Sequence, residues 1–149
     1  MSNYYLDASA IAKRYMDEFG SNWVRRLGDP ALGSSVFISQ MAIVEVISAL
    51  ARRTREGSLT LQEFATARDA LWGDCYREYS IIPPTESLVK SACALLERHW
   101  LRAYDAMHLA TALSLHQYLD SKDYPPLTSI SADEQLNRAS VAEGLQTLA

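Results

Sequence analysis

Four carboxylates stand where their neighbours are apolar. Asp7 ends the run Tyr4-Tyr5-Leu6, Glu45 lies inside "MAIVEVISAL", Asp105 opens "YDAMHLATAL", and Asp133 follows Ser131 after "LTSI". A charge buried without a partner is costly, so each acid needs one. Local partners are available. Aspartate is a favoured helix N-cap, which would account for Asp7 and Asp133 separately. Asp105 can complement the positive end of its helix, and Glu45 can pair with Arg52 or another arginine. A collective explanation covers all four at once. Carboxylates brought close repel, and hard divalent cations neutralise such clusters. An oxygen-only ligand set suits magnesium or manganese, and those ions bind phosphate and activate water. Acids such as Asp17, Glu63 and Glu143 lie in polar or mixed segments and read as surface charge.

The elements that must position these acids follow from pattern. Tyr4 to Leu6, Ser35 to Ser39, Tyr79 to Ile82 and Leu127 to Ser131 are short apolar or β-branched runs and read as strands. Between them lie helical segments: Ala10 to Asp17, Asn22 to Leu27 ended by Gly28-Asp29-Pro30, and a helix with Ala42, Ile43, Val46, Ala49 and Leu50 on one stripe, stopped at Gly57. Thr60 with Glu63 forms a capping-box pattern for a helix running to about Tyr76. Helices over Glu86 to His99 and Tyr104 to Leu119 come next. Ser131 with Glu134 makes a second capping-box pattern, opening a short helix that stops at Gly144. Strands alternating with helices predict an α/β domain with a parallel sheet covered on both faces. Ligands of such sheets gather at the carboxyl ends of the strands, and Asp7 and Asp133 would share that rim.

At 149 residues the chain is long enough for one domain with one sizeable core, spanning 1–149. Hydrophobic residues make up 48% and charged residues 21%, an ordinary soluble mix. No apolar run approaches the roughly 20 residues of a membrane span, and the N-terminus lacks the pattern of a signal peptide, so a cytoplasmic location away from membranes is expected. Cys75 and Cys93 form no metal-ligand spacing and read as buried thiols. The net charge of −4 argues against a nucleic-acid-coating protein but not against a nucleic-acid enzyme. Of 14 basic residues only Lys13, Lys90 and Lys122 are lysine. The arginine bias suits phosphate and carboxylate alike. Arg52, Arg53 and Arg55 cluster in "ARRTREG" at a helix C-terminus, where cations are stabilising and where RNA phosphate or a protein partner could also be met. Trp23, Trp72 and Trp100 read as core or interface residues rather than base-stacking platforms.

With "YYLDASAIAKRY", "AIVEVISAL", "LRAYDAMHLATAL" and "SISADEQLNRASVAEGL" in this order over nearly the whole chain, the sequence resembles the PIN-domain ribonucleases, most closely the VapC-like toxins of bacterial toxin–antitoxin pairs. The resemblance implies an α/β/α sandwich around a small, mostly parallel sheet. It implies Mg²⁺- or Mn²⁺-dependent endonucleolytic cleavage of RNA at Asp7, Glu45, Asp105 and Asp133. Asp7 and Asp105 would be the most direct metal ligands, with Glu45 and Asp133 acting partly through water. Ser9 would help order the site, and Ser131 falls where the family often carries a hydroxyl residue. His108, in "HLATA", reads as a core histidine rather than a ligand, given the preference of these metals for oxygen. By the same resemblance the partners would be an RNA substrate, a cognate antitoxin protein and a second copy of the chain. A phosphoacceptor receiver would carry adjacent acids after its first strand and a late lysine, whereas Ala8 follows Asp7 and no lysine follows Lys122. A haloacid-dehalogenase-type phosphatase would want D-x-D at Asp7-Ala8-Ser9. A non-catalytic PIN-like binding module would be expected to have lost an acid, and all four are present.

Overall fold

The computed structural model describes residues 1–17, 21–27 and 29–148. Five strands form one sheet in the order β3-β2-β1-β4-β5: β1 Asn3–Leu6, β2 Ser35–Ser39, β3 Tyr79–Ile82, β4 Leu127–Ile130 and β5 Gln146–Leu148. Every pairing is parallel, with Tyr5 opposite Phe37 on one side and Ser129 on the other. Among the described residues seven α-helices connect them: α1 Ala8–Tyr15, α2 Ser21–Leu27, α3 Gln40–Arg55, α4 Leu61–Arg77, α5 Glu86–Arg98, α6 Ala103–Ser121 and α7 Glu134–Ala142.

Strand side chains alternate between two faces, and the core divides accordingly. Leu6, Val36 and Ile38 pack with Ile11, Val46, Leu50 and Leu71 from α1, α3 and α4. Tyr5 and Leu127 pack with Leu95, Leu109 and Leu136 from α5, α6 and α7. The result is the α/β/α sandwich expected. Helix α6 is apolar nearly all round, and Ala106, His108, Leu109, Ala110, Thr111 and Ala112 are all buried. That arrangement presses α6 against the Tyr5 face of the sheet.

Local chemistry explains most element boundaries. The Thr60–Glu63 capping box forms as predicted. Gly57, at φ +85°, follows the C-terminus of α3, a conformation glycine adopts without steric cost. Gly28, the predicted stop after α2, lies outside the described residues. The other predicted capping box does not form. Asp133, not Ser131, is the N-cap of α7 and accepts from the N–H groups of Gln135 and Leu136. The Ser131 hydroxyl instead donates to Asp7. Strand β5 had no apolar signature, because Gln146 and Leu148 are exposed at the sheet edge. One burial expectation fails: Cys93 is exposed, while Cys75 is buried. Trp100, expected in the core or at an interface, is 93% exposed and so is not in the core. Trp72 lies on the surface of α4 stacked on Tyr76, whereas Trp23 packs partly buried against the α1–α4 core.

Candidate active site

The chain runs outward from β1 through β2 to β3, then returns to place β4 on the other side of β1. The carboxyl ends of β1 and β4 therefore flank a topological switch point, where open α/β sheets bind ligands. Asp7 follows β1 directly, and its N–H donates to the Ile130 carbonyl at 3.2 Å, extending the ladder. Asp7 is 5% exposed and caps α1: its Oδ1 accepts from the Ala10 N–H at 3.0 Å and from Ser9 Oγ at 2.7 Å. Its Oδ2 accepts from Ser131 Oγ at 2.5 Å. Each serine completes a bridge by accepting one backbone N–H, Ser9 from Ala132 and Ser131 from Asp133, both at 3.0 Å. The two hydroxyls thus stitch the end of β1 to the β4–α7 turn, with Asp7 between them. A carboxylate offers about four acceptor positions; three are used here, so capping leaves Asp7 able to accept one more partner.

Asp133 caps α7 through Oδ1 alone, which leaves Oδ2 without a donor among the described residues. Asp105 lies in the first turn of α6. Burial pushes its carboxyl pKa up, and the negative charges of Asp133 and Asp7 push it further, against the weaker pull of His108 and Arg102. Three acids from three separate elements therefore share one electrostatic neighbourhood. Glu45, on α3, is tied in differently. Its Oε1 lies 2.7 Å from His108 Nε2, and His108 Nδ1 lies 2.7 Å from the Tyr5 hydroxyl. His108 was expected in the core and is there, 3% exposed, but its polar edge is spent on Glu45. Arg52 is not the partner of Glu45. Burial opposes charge on His108, yet the hydrogen bond and charge of Glu45, with Asp7 and Asp105 behind, outweigh it and hold the pKa above the usual imidazole value. Tyr5, fully buried, has its phenol pKa raised well above normal by burial and by the charges of Asp7 and Glu45.

A groove of about 890 Å³ opens beside the acids, lined by Ser9, Glu45, Arg52, Arg53, Arg102 and Tyr104 among others. Arg102 was not among the basic residues singled out in the sequence. It sits at the N-terminus of α6 without capping it, and its charge reaches Asp105. Arg55 is exposed and does not line the groove.

Among the described residues no three His, Cys, Asp or Glu side chains converge in a way that could hold a metal ion. A closed cage of protein ligands is therefore absent there. The donor set nevertheless fits a hard divalent cation. Magnesium keeps several waters and is bound through one or two carboxylates. Asp7 and Asp105 offer all-oxygen donors, and the repulsion felt by Asp105 is what a cation would relieve.

The PIN domain family matches this chain over residues 4–141. The ribonucleases VapC45 and VapC49 of Mycobacterium tuberculosis are each 37% identical over 112 residues, 74% of this chain and 75% of theirs. Among solved structures, M. tuberculosis VapC20, a sarcin-ricin loop cleaving toxin, aligns with TM-score 0.63 at 18% identity over 95% of both chains. A chain of a toxin–antitoxin complex from Klebsiella pneumoniae aligns with TM-score 0.62 at 17% identity, over 98% of this chain and 96% of that one. Family match, relatives and fold agree: the chain belongs to the PIN-domain family and is a VapC-like member of it.

Proposed function

We propose that the protein is a Mg²⁺- or Mn²⁺-dependent endoribonuclease, the toxin of a toxin–antitoxin pair, which hydrolyses RNA phosphodiester bonds at Asp7, Glu45, Asp105 and Asp133. The observation that carries this reading is the placement of Asp7, Asp133 and Asp105 at the ends of β1 and β4 and the start of α6, where burial first, and then the charges of Asp133 and Asp7, raise the Asp105 carboxyl. Like charges brought from the ends of β1 and β4 and the start of α6 work against folding unless something positive joins them. Asp7 and Asp105 would hold the cation, and Glu45 and Asp133 would act partly through water. When bound, such an ion polarises a phosphoryl oxygen and lowers the pKa of a water. The chain's own contribution is placement. Ser9, Ser131 and the Ala10 N–H fix Asp7, the first turn of α7 fixes Asp133, and His108 fixes Glu45. Arg52 and Arg102 on the groove wall supply positive charge for RNA phosphates. Outside the groove, a cognate antitoxin and a second copy of the chain are the proposed protein partners.

The test is incubation of purified protein with mixed RNA in Mn²⁺, Mg²⁺ or excess EDTA. Cleavage is expected with either metal and not in EDTA, leaving 5′-phosphate and 3′-hydroxyl ends because water is the attacking group. Sustained cleavage in EDTA would rule out the metal mechanism. A 2′,3′-cyclic phosphate would identify the RNA's own 2′-hydroxyl as the nucleophile.

A further inference from the structure

We infer that His108, braced by Tyr5, is a positioning residue that sets the Glu45 carboxylate for hydrolysis, a role that rests on reading the site as a nuclease centre. Glu45 needs such a device. It projects from α3 with its side chain 24% exposed at the groove, and an unrestrained glutamate has several rotatable bonds to order. The imidazole that meets it is 3% exposed and the phenol behind it 1% exposed, so neither can follow the carboxylate if it swings away.

The carboxylate fixes one end of the chain of hydrogen bonds. A carboxylate only accepts, so His108 Nε2 carries the hydrogen shared with Glu45 Oε1 at 2.7 Å. Nδ1 meets the Tyr5 hydroxyl at 2.7 Å, accepting from its O–H in the neutral ring and donating to its oxygen in the protonated one, so the brace holds in both states. The rings meet edge to face, centroids 5.9 Å apart at 64°, which packs the imidazole in one orientation. Tyr5 stands on β1 two residues before Asp7, so the strand that delivers Asp7 also steers Glu45 through α6. Packing alone does not explain the arrangement. A leucine would fill the space without the desolvation cost of an imidazole and a phenol, whereas a hydrogen-bonded partner behind a functional carboxylate typically supports activity or metal affinity.

Three variants test this. Tyr5→Phe removes only the brace, His108→Leu removes the donor to Glu45, and His108→Gln keeps an N–H donor near the Nε2 position. Each is melted in EDTA and across a Mn²⁺ titration, and assayed for RNA cleavage. His108→Leu should lose roughly 10- to 100-fold in kcat, with KM for RNA held and more Mn²⁺ needed for half of the melting shift. Tyr5→Phe should move the same way by less, and His108→Gln should recover most of kcat. A His108→Leu protein with the parent's kcat overturns the inference, and so does a glutamine variant no better than leucine. If His108→Leu does not fold, Tyr5→Phe decides: parental kcat and parental Mn²⁺ dependence sink the proposal. Failure of the parent to cleave RNA refutes the nuclease reading instead. The Mn²⁺ melting shift then decides alone, and identical shifts for parent and Tyr5→Phe overturn the brace.

Discussion

Asp105 offers a residue-level test that separates a cation site from a set of helix caps. Its carboxyl pKa is raised by burial first, then by Asp133 and Asp7. A raised acid favours folding while protonated and opposes it once ionised, so stability from this group falls as pH climbs through the shifted value. At neutral pH without metal, Asp105→Asn should therefore melt no lower than the parent. Adding Mn²⁺ should stabilise the parent by RT ln(1 + [L]/Kd), about 2.7 kcal/mol at a hundredfold excess over Kd, and the variant should lose most of that gain. A structural Asp105, which sits in the first turn of α6 and is not its cap, predicts the opposite: a cost of roughly 0.3–1 kcal/mol for a lost helix-end charge and indifference to Mn²⁺ in both proteins. Melting curves in EDTA and across the titration distinguish the two. The acids were legible because charge stands out in an apolar string. Tyr5, His108 and Glu45 were not legible as a unit, since they are separated by 103 and 63 positions and only the sheet and α6 bring them together. The same limit hid the task of Ser131, which resembled a cap and instead bridges Asp7 to the α7 turn.

Among elements, the junction of α5 with α7 carries a pH prediction. Glu143, the C-cap of α7, lies 2.7 Å from His99 Nε2 and 3.2 Å from an Arg98 nitrogen at the end of α5. The His99 hydrogen bond, aided by Arg98, holds the Glu143 carboxyl below the usual range against some desolvation. A depressed acid contributes stability above its unfolded pKa, about 4.3, and loses it as pH falls through the folded value. Glu143→Gln should destabilise at pH 7 by a few tenths to about 1 kcal/mol, and its deficit against the parent should shrink as pH falls below about 4.3 and vanish only beneath the depressed folded value. Urea midpoints from neutral to acid pH measure this; a deficit that persists in acid would mean that packing, not charge, is lost. One residue later, Gly144 sits at φ +95° with open space where a Cβ would go. Gly144→Ala should therefore cost roughly 1 kcal/mol from backbone strain alone, readable in the same urea series. Strands with apolar alternation and helices with caps were legible within a residue or two. The edge strand β5 was not, because its pairing to β4 depends on the turn at Gly144 rather than on burial of its own side chains.

For the whole molecule, the consequence of the switch point is that acids of the proposed site also hold the fold together. Asp7 caps α1 and receives both serine hydroxyls, so Asp7→Ala removes a cap worth about 0.5–2 kcal/mol along with the charge. Loss of activity in that variant would mix folding with chemistry. Asp7→Asn is the cleaner probe: asparagine caps helices as well as aspartate does, keeps an acceptor for the Ala10 N–H, and removes the charge a cation needs. If the protein is a toxin, its expression without an antitoxin should arrest growth. Asp7→Asn should relieve that arrest while accumulating to the parent's level and melting close to it in EDTA. The comparison needs growth curves, a blot for abundance and the two melting temperatures. A well-folded, abundant Asp7→Asn protein that still arrests growth would place the toxicity outside these four acids. The apolar and basic groove beside them, with Met41, Val44, Arg52 and Arg102 on its walls, would then have to act by binding alone.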